Sequence, residues 1–186
     1  MSAGSLIRST YLLYLAQPAA DRLVFKAIKG KPIRSIVEIG IGKAERTARL
    51  LEIAAWQVGN LPLRYTGIDQ FEARPKEQPG LTLKAAFHQL RVPNVRVQLV
   101  PGDPYSALVR SANSLNGTDL LIISADQDRA ELERAWIYMP RMLHEHSLVF
   151  MQDGDAKTGK TSYRPLQPLD IQRLAAAATR LQRRAA

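Results

Sequence analysis

The feature that most restricts the fold of this chain is an alternation. Five short runs rich in β-branched residues, Ser35–Ile39, Leu63–Ile68, Asn94–Val100, Asp119–Ile123 and Ser147–Met151, are separated by segments with helical spacing. The helical segments are Ala44–Val58, Leu81–Leu90, Pro104–Ala112, Arg129–Leu143 and Leu169–Arg184. Strands alternating with helices of about 10–15 residues indicate βαβ units, hence a parallel sheet between two helix layers. The expectation is an α/β three-layer sandwich with a mainly parallel sheet of five or more strands, order 3-2-1-4-5, and helices on both faces. Two further helical pieces, Leu6–Ala16 and Ala19–Ile28, form an N-terminal helical extension over residues 1–32, stopped by Lys29-Gly30-Lys31-Pro32. Residues 1–186 read as one domain, and 154–186 as a basic loop and C-terminal helix.

Composition narrows the function classes. Apolar residues at 46% and charged residues at 23% support a packed core. With no cysteine in the sequence there is no disulfide scaffold, thiolate metal site or cysteine nucleophile. No apolar run reaches the ~20 residues of a membrane helix. The stretch Tyr11–Ala16 is shorter than the roughly 7–15 apolar residues of a signal peptide, so the expected location is the cytoplasm. The net charge of +9 is concentrated at the end, where seven basic residues after Asp155 face a single acid, Asp170.

In an open α/β sheet ligands bind beyond the carboxyl ends of the strands, so the residues there are the candidates. After the first strand comes Glu38-Ile-Gly40-Ile-Gly42-Lys-Ala44, whose glycines let backbone approach a ligand and whose next helix offers free N–H groups. After the second comes Asp69, 27 residues beyond Gly42, a carboxylate placed to accept from a ribose diol. The third is followed by Pro101-Gly102-Asp103-Pro104, the fourth by Ser124-Ala-Asp126, and the fifth by Gln152-Asp153. Each feature has a plainer reading. The glycines also suit a tight turn, Asp103 before Pro104 suits a helix N-cap, and Asp126 or Asp128 suits a cap on the Arg129 helix.

From Ser35 to Asp153 this layout resembles the class I S-adenosylmethionine-dependent methyltransferase family. Glu38-x-Gly40-x-Gly42-x-Ala44 is similar to its first motif, with alanine at the third glycine. The resemblance implies S-adenosylmethionine as cofactor, with the loop around its methionine part and Asp69 on its ribose. It also implies Gln70 and Phe71 beside the adenine, Gly102 and Asp103 near the adenine amino group, and Ser124 beside the transferred methyl. If a base is needed, Asp126 or Asp153 is the candidate. The runs Asp119–Asp128 and Leu148–Asp153 also resemble the metal-dependent catechol and caffeoyl-CoA O-methyltransferases. There, Ser124 and Gln152 stand where the family has carboxylates, which argues against a metal, since a hard cation wants carboxylate charge.

Other features point elsewhere. Gly154-Asp-Ala-Lys-Thr-Gly-Lys-Thr161 fits a P-loop pattern, but Pro165 and Pro168 oppose the helix that must follow; the other reading is a basic loop over the site. His144 and His146, read as lying at a helix end, do not face each other there. The last helix carries Ile171, Leu174, Ala178 and Leu181 on one face and Arg173, Arg180 and Arg184 on another. That pattern suits docking on the sheet or a phosphate-tracking face for RNA. An uncovered edge strand makes a homodimer a further expectation. Two functions therefore stand: a methyltransferase acting on a small-molecule acceptor, and a noncatalytic Rossmann-like cofactor- or nucleotide-binding protein whose basic tail contacts RNA or an anionic partner.

Overall fold

The computed structural model describes residues 3–78, 80–155 and 160–185. Helices α1 (Ala3–Tyr14) and α2 (Asp21–Ile28) precede β1 (Ser35–Ile39), α3 (Glu45–Val58), β2 (Leu63–Asp69), α4 (Leu83–Gln89) and β3 (Val95–Pro101). The chain continues through α5 (Pro104–Ser111), β4 (Thr118–Ile123), α6 (Arg129–Ala135), β5 (Leu143–Asp155), β6 (Lys160–Pro165) and α7 (Pro168–Ala185). The strands form one six-stranded sheet, order β3-β2-β1-β4-β5-β6. Strands β1 to β5 pair in parallel, and β6 runs antiparallel to β5.

Two-residue alternation divides the core between the faces of the sheet. Ile36, Leu120 and Ile122 pack with Leu12, Phe25, Leu50, Leu51 and Leu90, from helices α1 to α3 and the end of α4. Val37, Ile39, Leu121 and Ile123 pack on the other face with Leu108, Trp136, Met139 and Ile171. Strand β1 is buried along its whole length, as a central parallel strand covered by helices on both sides must be. The α7 pattern holds in part. Ile171 and Ala178 are buried, but Leu181 is 45% exposed, and the arginines at 173, 180 and 184 face solvent.

Three expectations need correction, and the rival P-loop pattern is decided. The stretch Asp153–Pro168 reads as loop, with a short extra strand at Thr161–Leu166 as the alternative; the alternative holds, since the stretch carries the end of β5 and all of β6, paired from Phe150↔Pro165 to Asp155↔Lys160. An edge strand has one unpaired side, so it tolerates the proline and polar residues that hid it. Because Lys160 opens a strand, no helix begins at the Gly-Lys-Thr, and the P-loop reading fails; residues 156–159 of that motif lie outside the described residues. The helix read to Leu143 ends at Ala135, followed by a 3-10 turn at Met139–Met142. His144 and His146 lie in β5, two apart on the same face, with ring centroids 6.2 Å apart.

Candidate functional site

The chain turns sharply after β1. Gly40 (φ 86°) and Gly42 (φ 59°) take left-handed backbone, and so does Ala44 (φ 58°), which stands where the resembling family has its third glycine. The last strand bonds hold this turn against its neighbours: Gly40 N–H donates to Ile68 O and Ser124 N–H to Ile39 O, each at 2.8 Å. Gly40 has no room for a side chain. A Cβ there would lie 2.2 Å from Gln127 Nε2 and 2.7 Å from Ser124 Cβ, whereas one on Gly42 would meet open space.

Beneath the loop lies a buried polar cluster. Glu38, fully buried, accepts from Thr47 Oγ1 at 2.7 Å, Tyr65 OH at 2.9 Å, and the Arg46 guanidinium. Arg46 also donates to Ser124 Oγ at 3.1 Å and to the Tyr163 hydroxyl, and Asp21 from α2 lies beside both Arg46 and Tyr163. Ser124 Oγ donates to Gly40 O at 2.6 Å. Burial opposes the charge on Arg46, but Glu38, Tyr163 and Asp21 outweigh it and keep the guanidinium firmly protonated. Burial pushes the Asp21 carboxyl above its usual range, against the pull of Arg46 and Arg49. Among the described residues, one buried side-chain polar atom lacks a partner, Arg46 Nε.

Asp69, 4% exposed, ends β2 and gathers the loop. Its Oδ2 accepts from the N–H groups of Ile41 at 2.7 Å and Gly42 at 3.0 Å, and its Oδ1 from that of Phe71 at 3.1 Å. Arg74 then clasps both oxygens, Nε to Oδ1 at 2.6 Å and Nη2 to Oδ2, while its Nη1 reaches Asp126 Oδ2 at 2.9 Å. Burial alone would raise the Asp69 carboxyl. The Arg74 hydrogen bonds and charge, with the N–H groups of Gly42 and Phe71, prevail and hold it below the usual range.

Two adjoining cavities open on this arrangement. One of about 550 Å³ is bordered by Gly40, Gly42, Arg46, Ser124, Asp126 and Gln152, and extends to Asp21 and Thr161. A smaller one of about 200 Å³ is bordered by Asp69, Gln70, Arg74 and Gln127. Gln78 and Asp126 border both.

Of the residues singled out in the sequence, Gly40, Gly42, Asp69, Gln70, Ser124 and Asp126 therefore meet at the cavities. Glu38 supports the loop from below. Gln152 borders the larger cavity and Asp128 the smaller, while Phe71, Gly102, Asp103 and Asp153 lie apart. The Phe71 side chain is buried in the core, and only its N–H turns to Asp69. Asp103 caps α5, accepting from Ser106 N–H at 2.9 Å and Ser106 Oγ at 2.5 Å, and neither it nor Gly102 borders a cavity described above. Asp153 alternates with Gln152 along β5 and pairs with the exposed Arg164 at 3.4 Å, away from the cleft. Asp128 caps α6 through Glu131 N–H at 3.0 Å. Sequence reasoning missed Asp21, Arg46, Arg74 and Tyr163. Only Arg46 had a signal, a cation in the first turn of the helix after the glycine loop, eight residues past a buried glutamate.

No family model matches the sequence, and no curated protein matches it significantly. Solved structures do match. The O-methyltransferase TomG from Streptomyces achromogenes, in complex with SAM, superposes with TM-score 0.53 at 14% identity, over 98% of this chain and 78% of its own. A TehB-like SAM-dependent methyltransferase from Corynebacterium glutamicum gives TM-score 0.51 at 14% identity, over 95% and 83%. Cofactor-bound Rv0187 from MTB gives 0.50 at 19% identity, over 97% and 75%. Two longer matching structures are spanned for 36% and 52% of their length. No helix among the described residues is long and apolar enough to cross a membrane. At such low identity the shared property is the architecture: this chain has the Rossmann-like fold of the class I S-adenosylmethionine-dependent methyltransferases.

Proposed function

We propose that this chain is an S-adenosylmethionine-dependent methyltransferase acting on a small-molecule acceptor without a metal. The observation that carries the reading is the meeting of the Ile41 and Gly42 N–H groups on the Asp69 carboxylate, where the cavity of about 550 Å³ that Gly42 borders adjoins the cavity of about 200 Å³ that Asp69 borders. The residues fit the cofactor on two counts. Asp69 is held ionised with both oxygens turned to donors, the chemistry a ribose diol needs. Gly42, at the wall of the larger cavity, has open space where a Cβ would stand, so backbone there can be approached closely. One condition attaches: Arg74 occupies Asp69 and must leave it.

When bound, the cofactor supplies an electrophilic sulfonium methyl group. The chain's own residues bind and orient. Glu38 anchors Arg46 and Thr47 and so fixes the loop, Gly42 leaves room for close approach, and Ser124 ties the loop to β4. Asp126, on the border of the larger cavity, is the group to accept an acceptor proton where one must leave. The donor set supports transfer without a metal. Ser124 is engaged by Gly40 O and by a guanidinium that repels cations, and Gln152 accepts from Ala125 N–H at 3.3 Å.

Saturation of Asp69 by Arg74 favours a second reading, a noncatalytic module of the same fold. Calorimetric titration with S-adenosylmethionine and its demethylated product, S-adenosylhomocysteine, tests the first. Binding weakened about tenfold or more in Asp69→Ala supports the site. Transfer of labelled methyl to a small-molecule fraction supports the enzyme. Binding without transfer to any fraction supports the module, and no binding of either compound removes both.

A further inference from the structure

The Asp69 carboxylate has no capacity left. An ionised carboxylate offers about four lone-pair sites. Asp69 already receives three backbone N–H groups and two from Arg74. The backbone donors belong to the glycine loop and the turn after β2, so they stay as long as the fold does. Arg74 is the one replaceable partner, since a side chain leaves by rotating. Its two N–H groups, set on the two oxygens, present what the two hydroxyls of a vicinal diol present.

Arg74 also bridges to the opposite wall. Its third nitrogen holds Asp126, whose other oxygen takes Gln127 Nε2 at 2.8 Å, and Asp126 borders both cavities. The arginine stem lies against Gly80, where a Cβ would fall 2.6 Å from Arg74 Cδ, so a residue without a side chain makes its berth. Stability gives little reason for such a bridge. Arg74 is 7% exposed, and desolvation offsets most of what a buried ion pair gains.

We propose that Arg74 is a latch displaced by the ribose diol, and that its departure strips Asp126 of its cation in the larger cavity. The inference rests on the cofactor reading above. Nucleoside binding then leaves Asp126 without its guanidinium and facing the acceptor, so the cofactor enters first and the completed site favours an acceptor that binds as an ammonium ion, gives its proton to Asp126, and takes the methyl on the freed lone pair as the thioether leaves. The coupling is reciprocal: whatever holds Arg74 on Asp126 weakens the nucleoside.

The test is calorimetry of S-adenosylhomocysteine, adenosine and 2′,3′-dideoxyadenosine with wild type, Arg74→Ala and Arg74→Gln, each checked by thermal melting. A latch closed most of the time lowers apparent affinity by the open fraction, so both variants gain about tenfold for the two diol ligands and nothing for the dideoxy one. The wild type supplies a measurement free of folding defects. The Arg74 Nε–H resonance is protected in the free protein and loses protection when S-adenosylhomocysteine is added. Folded variants that bind the diol ligands no better than wild type, or an Nε–H that stays protected in the complex, overturn the latch and leave the cofactor reading standing. Failure of the folded wild type and both variants alike to bind S-adenosylhomocysteine overturns the cofactor reading itself.

Discussion

The two ends of the cleft use the same chemistry, a carboxylate against a guanidinium, in opposite ways. At one end Asp69 and Arg74 are five residues apart in one stretch of chain, and from there Arg74 reaches Asp126 after β4 by one further bond. At the other, Arg46 links Glu38 on β1 to Tyr163 on β6, 117 residues away, with Thr47 and Tyr65 closing the cluster. A pair made within one loop can part without moving the sheet. A cluster that ties four elements together cannot. The first end is therefore suited to change and the second to hold, and variants at the two should behave differently.

The largest effect is expected at the holding end. Arg46→Ala leaves Glu38 buried without its cation and should cost about 3–5 kcal/mol in urea unfolding. Equal loss from Arg74→Ala would abolish the distinction. The glycine loop sharpens it. Gly40→Ala adds an overpacking cost of about 1–3 kcal/mol to a left-handed backbone cost of about 1–2 kcal/mol, because Ser124 Cβ cannot retreat from the sheet. Gly42→Ala, facing open space, carries only the backbone cost, so the two should separate clearly in the same unfolding series.

Two carboxylates should also show opposite pH slopes. The Asp69 pKa is lowered in the fold, so its contribution is present above the unfolded value near 3.9 and is lost as pH falls through the lower folded value. Asp69→Asn should cost about 1.5–3 kcal/mol at pH 7, with the gap closing in acid. The Asp21 pKa is raised, so its ionisation works against folding as pH rises from about 3.9 through the folded value. Asp21→Asn should therefore gain on wild type as pH rises through that window. Parallel slopes in the two unfolding-versus-pH series would contradict this assignment. The smallest effect is at Asp103. Loss of its cap in Asp103→Ala should cost about 1 kcal/mol and leave S-adenosylhomocysteine affinity unchanged by calorimetry.

Much of this was legible beforehand where the signal is local. The period-two alternation of Ile36 with Val37, and of Leu120 with Leu121, marks a strand buried on both faces. The helix caps at Asp103 and Asp128 follow from acids placed just before helical runs. Strand β6 was legible only as one of two alternatives, a short extra strand at Thr161–Leu166 or none, because an edge strand needs neither apolar alternation nor a free choice of N–H donors, and its proline and lysine also read as loop.

The sequence by itself determined the layering, the glycine turn after β1, and the acid at the end of β2, because burial period, backbone freedom and capping act over a few residues. Only the tertiary structure decided that Arg74 spans Asp69 and Asp126, and that Asp21 from the N-terminal helices meets Tyr163 from the last strand. Those contacts join segments up to 142 positions apart (163 − 21). No local pattern encodes them; they exist because the sheet brings α2, β6 and the strand ends to one cleft.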